Sequence, residues 1–105
     1  MPKAPFDPSI LTGGQRRALR GMAHSLEPIV QVGHAGVTSA VVDAVKRALL
    51  DHELIKVRLH EPEDKKAMAQ SLATSAGAAL CGLVGHTVIL FRPHPKEPKL
   101  VVPGA

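Results

Sequence analysis

At 105 residues the chain has room for one domain with a modest core, roughly 60–65% of its unfolded surface being buried, and a hydrophobic content of 45% is too high for a disordered protein. Two Phe, no Tyr and no Trp exclude a binder that stacks single-stranded bases on several rings and leave the core to Val, Leu, Ile, Ala and Met. Thirteen Lys and Arg against nine Asp and Glu, a formal charge of +4, favour a polyanionic partner, and the lone Cys81 excludes an internal disulfide and a thiolate zinc site.

Pro2, Pro5 and Pro8 at one end and Pro95, Pro98 and Pro103 at the other make residues 1–10 and 94–105 read as extended or disordered tails around a folded body of 11–93. Thr12-Gly13-Gly14-Gln15 has capping-box spacing and opens a helix to about Leu26, ahead of Pro28. Leu19, Met22, Ala23 and Leu26 fall on its inner face; Arg16, Arg17, Arg20 and His24 share the opposite one. Ile29–Val32 is a short strand leading into Gly33-His34-Ala35-Gly36, and Thr38 caps a second helix whose inner face carries Val41, Val45, Ala48 and Leu49. From Leu54 to His60, Ile55, Val57 and Leu59 alternate with Lys56, Arg58 and His60, giving a strand with one apolar and one basic face. Asp64 caps a third helix to about Ala76, with Gly77 as its left-handed stop. Leu80–Val84 and Thr87–Phe91 form a hairpin whose two-residue turn, Gly85-His86, needs positive φ at its first position. The order α-β-α-β-α-β-β predicts a compact α/β domain, one layer of helices on a small mixed sheet.

A strand that runs through Gly-x-x-Gly into a helix start presents bare amides near the surface. There glycine lets a phosphate chain come close and the helix N-terminus favours negative charge. The spacing alone is weak: with nine glycines about one such match is expected by chance, and the alternative is a tight turn that binds nothing. The basic stripe strengthens it, because no acid relieves the three Arg between Leu11 and Leu26. The six histidines show no i, i+4 pair and no carboxylate at ligand spacing, so no metal is expected. Cys81 sits in an apolar strand as an inert core thiol. No acid–base pair suggests catalysis, so an enzyme, a cofactor and a small-molecule substrate are not expected. Met1–Ser9 lacks an apolar signal segment and no apolar run approaches membrane-spanning length, so the expected location is cytoplasmic, with no membrane partner.

Several motifs in order then point to a family. Leu11-Thr12-x-x-Gln15-Arg16-Arg17-x-Leu19-Arg20-x-x-Ala23-His24, the segment Pro28–Gly36, His52-Glu53-Leu54-Ile55-Lys56-Val57, and Gly85-x-Thr87-x-x-Leu90-Phe91-Arg92-Pro93 together resemble the YhbY-like proteins, stand-alone CRM (chloroplast RNA splicing and ribosome maturation) domains. The resemblance implies a four-stranded mixed sheet with three helices, similar to the C-terminal domain of bacterial translation initiation factor three. It also implies binding of structured RNA, namely ribosomal RNA of large-subunit precursors. The family's RNA-contacting loop maps onto Gly33, His34, Ala35 and Gly36; relatives commonly place Lys where His34 stands and near Gly14, and Tyr where Phe91 stands. The expected site is therefore Arg16, Arg17 and Arg20 on the helix and Gly33–Gly36 in the loop, flanked by Lys56 and Arg92. Four neutralised phosphates would give a log–log salt slope of about −3. The competing expectation is a protein–protein adaptor that uses a sheet edge and the Pro-rich tails.

Overall fold

The computed structural model describes residues 6–103; Pro2 and Pro5 of the expected N-terminal tail and the last two residues lie outside them. The capping box closes as the sequence predicts. The Thr12 hydroxyl accepts from the Gln15 amide at 3.0 Å, and Gln15 Oε1 accepts from the Thr12 amide at 3.0 Å, which satisfies two donors that helix α1 (Gly13–Met22) cannot satisfy internally. The α-helix is shorter than expected. It tightens to a 3₁₀ turn over Ala23–Ser25, and Leu26 leaves with extended backbone; Pro28 has no amide to extend the helix and its ring would clash with the carbonyl four residues back. Leu19 and Ala23 are therefore buried as predicted, whereas Met22 and Leu26 remain 41% and 39% exposed.

Strand β1 (Pro28–Val32) is followed by α2 (Ser39–His52), β2 (Leu54–Leu59), α3 (Lys65–Ala76) and the hairpin β3 (Ala79–Val84)–β4 (Thr87–Phe91). The local signals hold: the Thr38 hydroxyl accepts from Val41 N at 3.2 Å, Asp64 Oδ1 accepts from Ala67 N at 3.1 Å, Gly77 ends α3 at φ +65, and Gly85 turns the hairpin at φ +59. Among the described residues the four strands form one mixed sheet in the order β1-β2-β4-β3. β1 and β2 run parallel across the α2 crossover; β4 is antiparallel to both β2 and β3.

The expected single helical layer is corrected. Ile55, Val57, Leu59, Val88 and Leu90 bury one sheet face against Val45 and Leu49 of α2 and Leu72, Ala73 and Ala76 of α3. The opposite face carries a second, smaller core in which Leu19 and Ala23 meet Leu54, Ala79, Cys81, Ile89 and Phe91. The α1 stripe thus covers the sheet from the other side, and burying each such aliphatic or aromatic chain contributes about 1.5–3 kcal/mol. Burial pushes the Cys81 thiol up to about 11, against an opposing pull from Arg16. Near pH 8 (about the ordinary thiol pKa) the native protein should resist iodoacetamide on a timescale in which the urea-unfolded chain is fully alkylated. Rapid native labelling would contradict a closed second core.

Three half-buried apolar residues of the expected tails pack against that core. Phe6 sets its ring edge-on to Phe91, centroids 5.9 Å apart, and Leu100 and Val102 pack beside them. Glu53 fastens the C-terminal segment. Its carboxylate accepts from the amides of His94 (2.8 Å), Lys99 (3.0 Å) and Leu100 (2.9 Å), and among the described residues it is the one buried charged side chain.

Candidate nucleic-acid interface

Helix α1 lies over the half of its sheet face that is lined by Leu54, Ala79, Cys81 and Phe91. Toward the other end of β2 the same face stays open, with Lys56 opposite Ile89 and Arg58 opposite Thr87; Lys56 is half-buried and Arg58 exposed. Arg17, Arg20 and His24 of α1 and its 3₁₀ turn form the wall of this opening, giving a groove of about 810 Å³ with Lys56, Thr87 and Val84 on its floor and rim and Glu27 as its one carboxylate. Lys56 Nζ donates to the His24 carbonyl at 3.1 Å, which ties the floor to the wall. Arg20 lies across β3 because residue 82 is glycine: a Cβ there would sit 2.7 Å from Arg20 Cδ. Arg17, Arg20 and Arg58 are all exposed and keep their charge free for an anion.

Two of the expected site arginines are used elsewhere. Arg16 is half-buried and donates Nη1 to the Leu80 carbonyl at 2.9 Å and Nη2 to the Pro8 carbonyl at 2.7 Å, fixing α1 and the N-terminal segment to β3. Arg92 donates Nη1 to the Ala76 carbonyl at 3.0 Å, where it caps the C-terminus of α3, the end at which a cation is favoured. Neither guanidinium faces the groove. A helical wheel gives an angle around the α1 axis but says nothing of what lies beside each angle, so Arg16 could not be told from Arg17 in sequence. Arg58, by contrast, was visible as part of the basic strand face and lies with Lys56 on the open part of that face.

The loop Gly33–Gly36 stands at the end of the sheet toward which Lys56 and Arg58 run. The parallel β1–β2 ladder pairs Val32 with Leu59, and the bonds His60 N to Val32 O (2.9 Å) and Leu59 N to His86 O (2.8 Å) bring the loop, the end of β2 and the hairpin turn to one edge. Within the loop the Gly36 amide donates to Gly33 O and the Thr38 amide to Gly36 O, both at 3.0 Å. The amides of His34, Ala35 and Val37 donate to no acceptor among the described residues, which leaves them for an outside anion. His34 meets His60 edge-to-face, ring centroids 4.6 Å apart, with the Glu61 carboxylate beside them.

The two loop glycines have different reasons to be glycine. Gly36 sits at φ +75, a region costly to L side chains, whereas Gly33 has neither positive φ nor any atom within 4 Å of where a Cβ would stand. Gly36→Ala should therefore destabilise the fold by about 1–2 kcal/mol. Gly33→Ala should leave the melting temperature unchanged while weakening binding of any chain that must approach the loop backbone. Thermal melts read together with RNA titrations of the two variants check this; an unchanged affinity for Gly33→Ala would mean that nothing comes close to that position.

The sequence profile of the CRS1/YhbY (CRM) domain matches residues 11–92. A protein of Methanocaldococcus jannaschii named a probable RNA-binding protein is 42% identical over 87 residues, 79% of this chain, which spans 64% of that relative's length. An RNA-binding protein of Haemophilus influenzae is 35% identical over 95 residues, covering 89% of this chain and 95% of its own. In three dimensions the chain is similar to the solution structure of a hypothetical Staphylococcus aureus protein described as a candidate RNA binder, with TM-score 0.77, 30% identity, and coverage of 90% of this chain and 100% of that one.

Proposed function

Because the chain belongs to the CRS1/YhbY (CRM) domain family, we propose that it binds structured RNA by its backbone, without catalysis, as a cytoplasmic factor in assembly of the large ribosomal subunit. The observation that carries this reading is the succession of two anion-seeking features along β2, a basic groove on one face and, at the strand end, a glycine loop with free amides. The groove of Arg17, Arg20, His24 and Lys56, extended by Arg58, leads toward the free loop amides at Gly33–Gly36. Phosphates would bind the arginines as forks and Lys56 as a point charge, and the loop amides would hold a further stretch of backbone. Neither Phe is available to stack a base, since Phe91 is buried and Phe6 is set against it. Discrimination then comes from the shape of a folded RNA rather than from its sequence.

Sedimentation of lysate through a sucrose gradient, with and without ribonuclease, tests the biological half of this reading. Co-migration with large-subunit precursors that ribonuclease abolishes is the expected result. Protein that stays at the top of the gradient at low salt would overturn the ribosomal assignment. One observation favours a second reading, a protein–protein adaptor: Met22, Leu26 and Ile29 are exposed around an apolar cleft that also includes Leu54 and Leu100. The Arg17, Arg20 and Arg58 substitutions discussed below separate the two, because a partner held in that cleft would be retained when the groove loses its charge.

A further inference from the structure

We propose that His34, His60 and Glu61 form a binding site for a divalent ion of the zinc class at the edge of the sheet. No spacing rule in the sequence finds it, because the two histidines are 26 positions apart in number and meet only through the fold. His34 follows β1 and His60 follows β2. These strands are parallel neighbours, and the bond from His60 N to Val32 O at 2.9 Å sets both side chains at the same end of the ladder. Glu61 comes next in the chain, with φ +43, and its Oε2 lies 4.0 Å from His60 Nε2.

One donor atom from each of the three residues lies within 4.8 Å of the others. Donors around a tetrahedral ion with metal–ligand distances near 2.0–2.1 Å are roughly 3.4 Å apart, so small rotations of three exposed side chains complete the approach. Among the described residues the three side chains meet only one another, through the His34–His60 ring contact and the 4.0 Å approach of His60 to Glu61, so no hydrogen bond has to be given up. Two imidazoles and one carboxylate suit zinc, cobalt or nickel rather than magnesium or calcium, which take oxygen donors. Three protein ligands leave a position open to water or to an anionic oxygen. The ion would add two positive charges beside the free His34 and Ala35 amides. Its use as a receptor for an RNA phosphate rests on the proposed function; the metal site itself does not.

Titration of the full chain with Zn²⁺ alone, followed by calorimetry, tests the site without RNA. One equivalent should bind saturably. His34→Gln and His60→Gln should each weaken binding at least about tenfold, the scale on which even outer-sphere changes act at metal sites, whereas His24→Gln and His86→Gln should not. All four positions are exposed, so circular dichroism and melting should be unchanged in every variant. As a second readout, Co²⁺ should broaden the amide signals of residues 33–36 and 60–62 first. Absence of saturable binding, wild-type affinity in His34→Gln and His60→Gln, or broadening centred on His24, His52, His86 or His94 would overturn the proposal.

Discussion

Replacing Arg17, Arg20 and Arg58 together with Gln is expected to weaken RNA binding on the order of a hundredfold while leaving the melting temperature close to where it was. The three guanidinium groups are exposed and none donates a hydrogen bond to another described residue, and Gln keeps the Cγ and Cδ with which Arg20 lies over Gly82, so the folded state loses little when the charges go. With solvent screening, each phosphate contact contributes about 1 kcal/mol, and three such contacts amount to on the order of a hundredfold. The salt dependence is the sharper readout. Arg17, Arg20, Lys56 and Arg58 neutralising four phosphates give a log–log slope of about −3, and each cation removed should flatten it by nearly one. Filter binding across a salt series measures both quantities, and a variant with wild-type slope would show that the groove is not where phosphates sit. Arg16→Ala and Arg92→Ala form the complementary pair. Their guanidinium groups hold backbone carbonyls, so each should lower stability by about 1–2 kcal/mol and leave the salt slope intact.

The largest stability effect is expected at Glu53. This residue makes the entire connection between α2, which ends at His52, and β2, which begins at Leu54, and the reversal forces it to φ +64, ψ −43, a sparsely populated conformation that costs about 1–3 kcal/mol. Its carboxylate then takes the three amide donors of the C-terminal segment. Glu53→Ala keeps the strained backbone and leaves those amides without their acceptor, so urea unfolding should report a loss of about 3 kcal/mol or more. Glu53→Gly loses the same acceptor but tolerates the positive φ, and its deficit should be about 1 kcal/mol smaller. Burial alone would push the Glu53 carboxyl up. The amide bonds from His94, Leu100 and Lys99, with the charge of His94, outweigh it and hold the carboxyl below its ordinary 4.5. A carboxyl lowered in the folded state stabilises the fold above its unfolded pKa, and that contribution disappears as pH falls through the lower, folded value. Stability should therefore decline as pH drops below about 4.5, and this part of the decline should be missing in Glu53→Gln. An identical acid profile for wild type and Glu53→Gln would contradict this role of the Glu53 carboxylate.

Features governed by a few neighbouring residues were legible in the sequence. Thr12 with Gln15, Thr38, Asp64, Gly77 and Gly85 each do in space what their spacing predicts, because a cap or a turn is decided within about four residues. The alternation in β2 correctly divided Ile55, Val57 and Leu59 from Lys56 and Arg58. Whatever depended on distant partners was not legible. The carbonyl of Leu80 that occupies Arg16 lies 64 positions away, and the amides that Glu53 binds lie 41 to 47 away. Residues 94–103 read as a tail for the same reason: their prolines suggest no regular element, and partners across the fold, the Glu53 carboxylate and the apolar residues of the second core, give them a place. The candidate site was half legible. Arg17, Arg20, Lys56 and the glycine loop were named from their types and order, whereas the withdrawal of Arg16 and Arg92 required the sheet order to be known.

The most direct test of RNA recognition on this surface is an amide NMR titration of the full chain with a folded fragment of large-subunit ribosomal RNA at low salt. The predicted result is perturbation centred on Arg17, Arg20, Lys56, Arg58 and Gly33–Val37, reversed by added salt. Perturbation confined to the outer faces of α2 and α3, or none at all, would contradict a groove-and-loop grip on RNA.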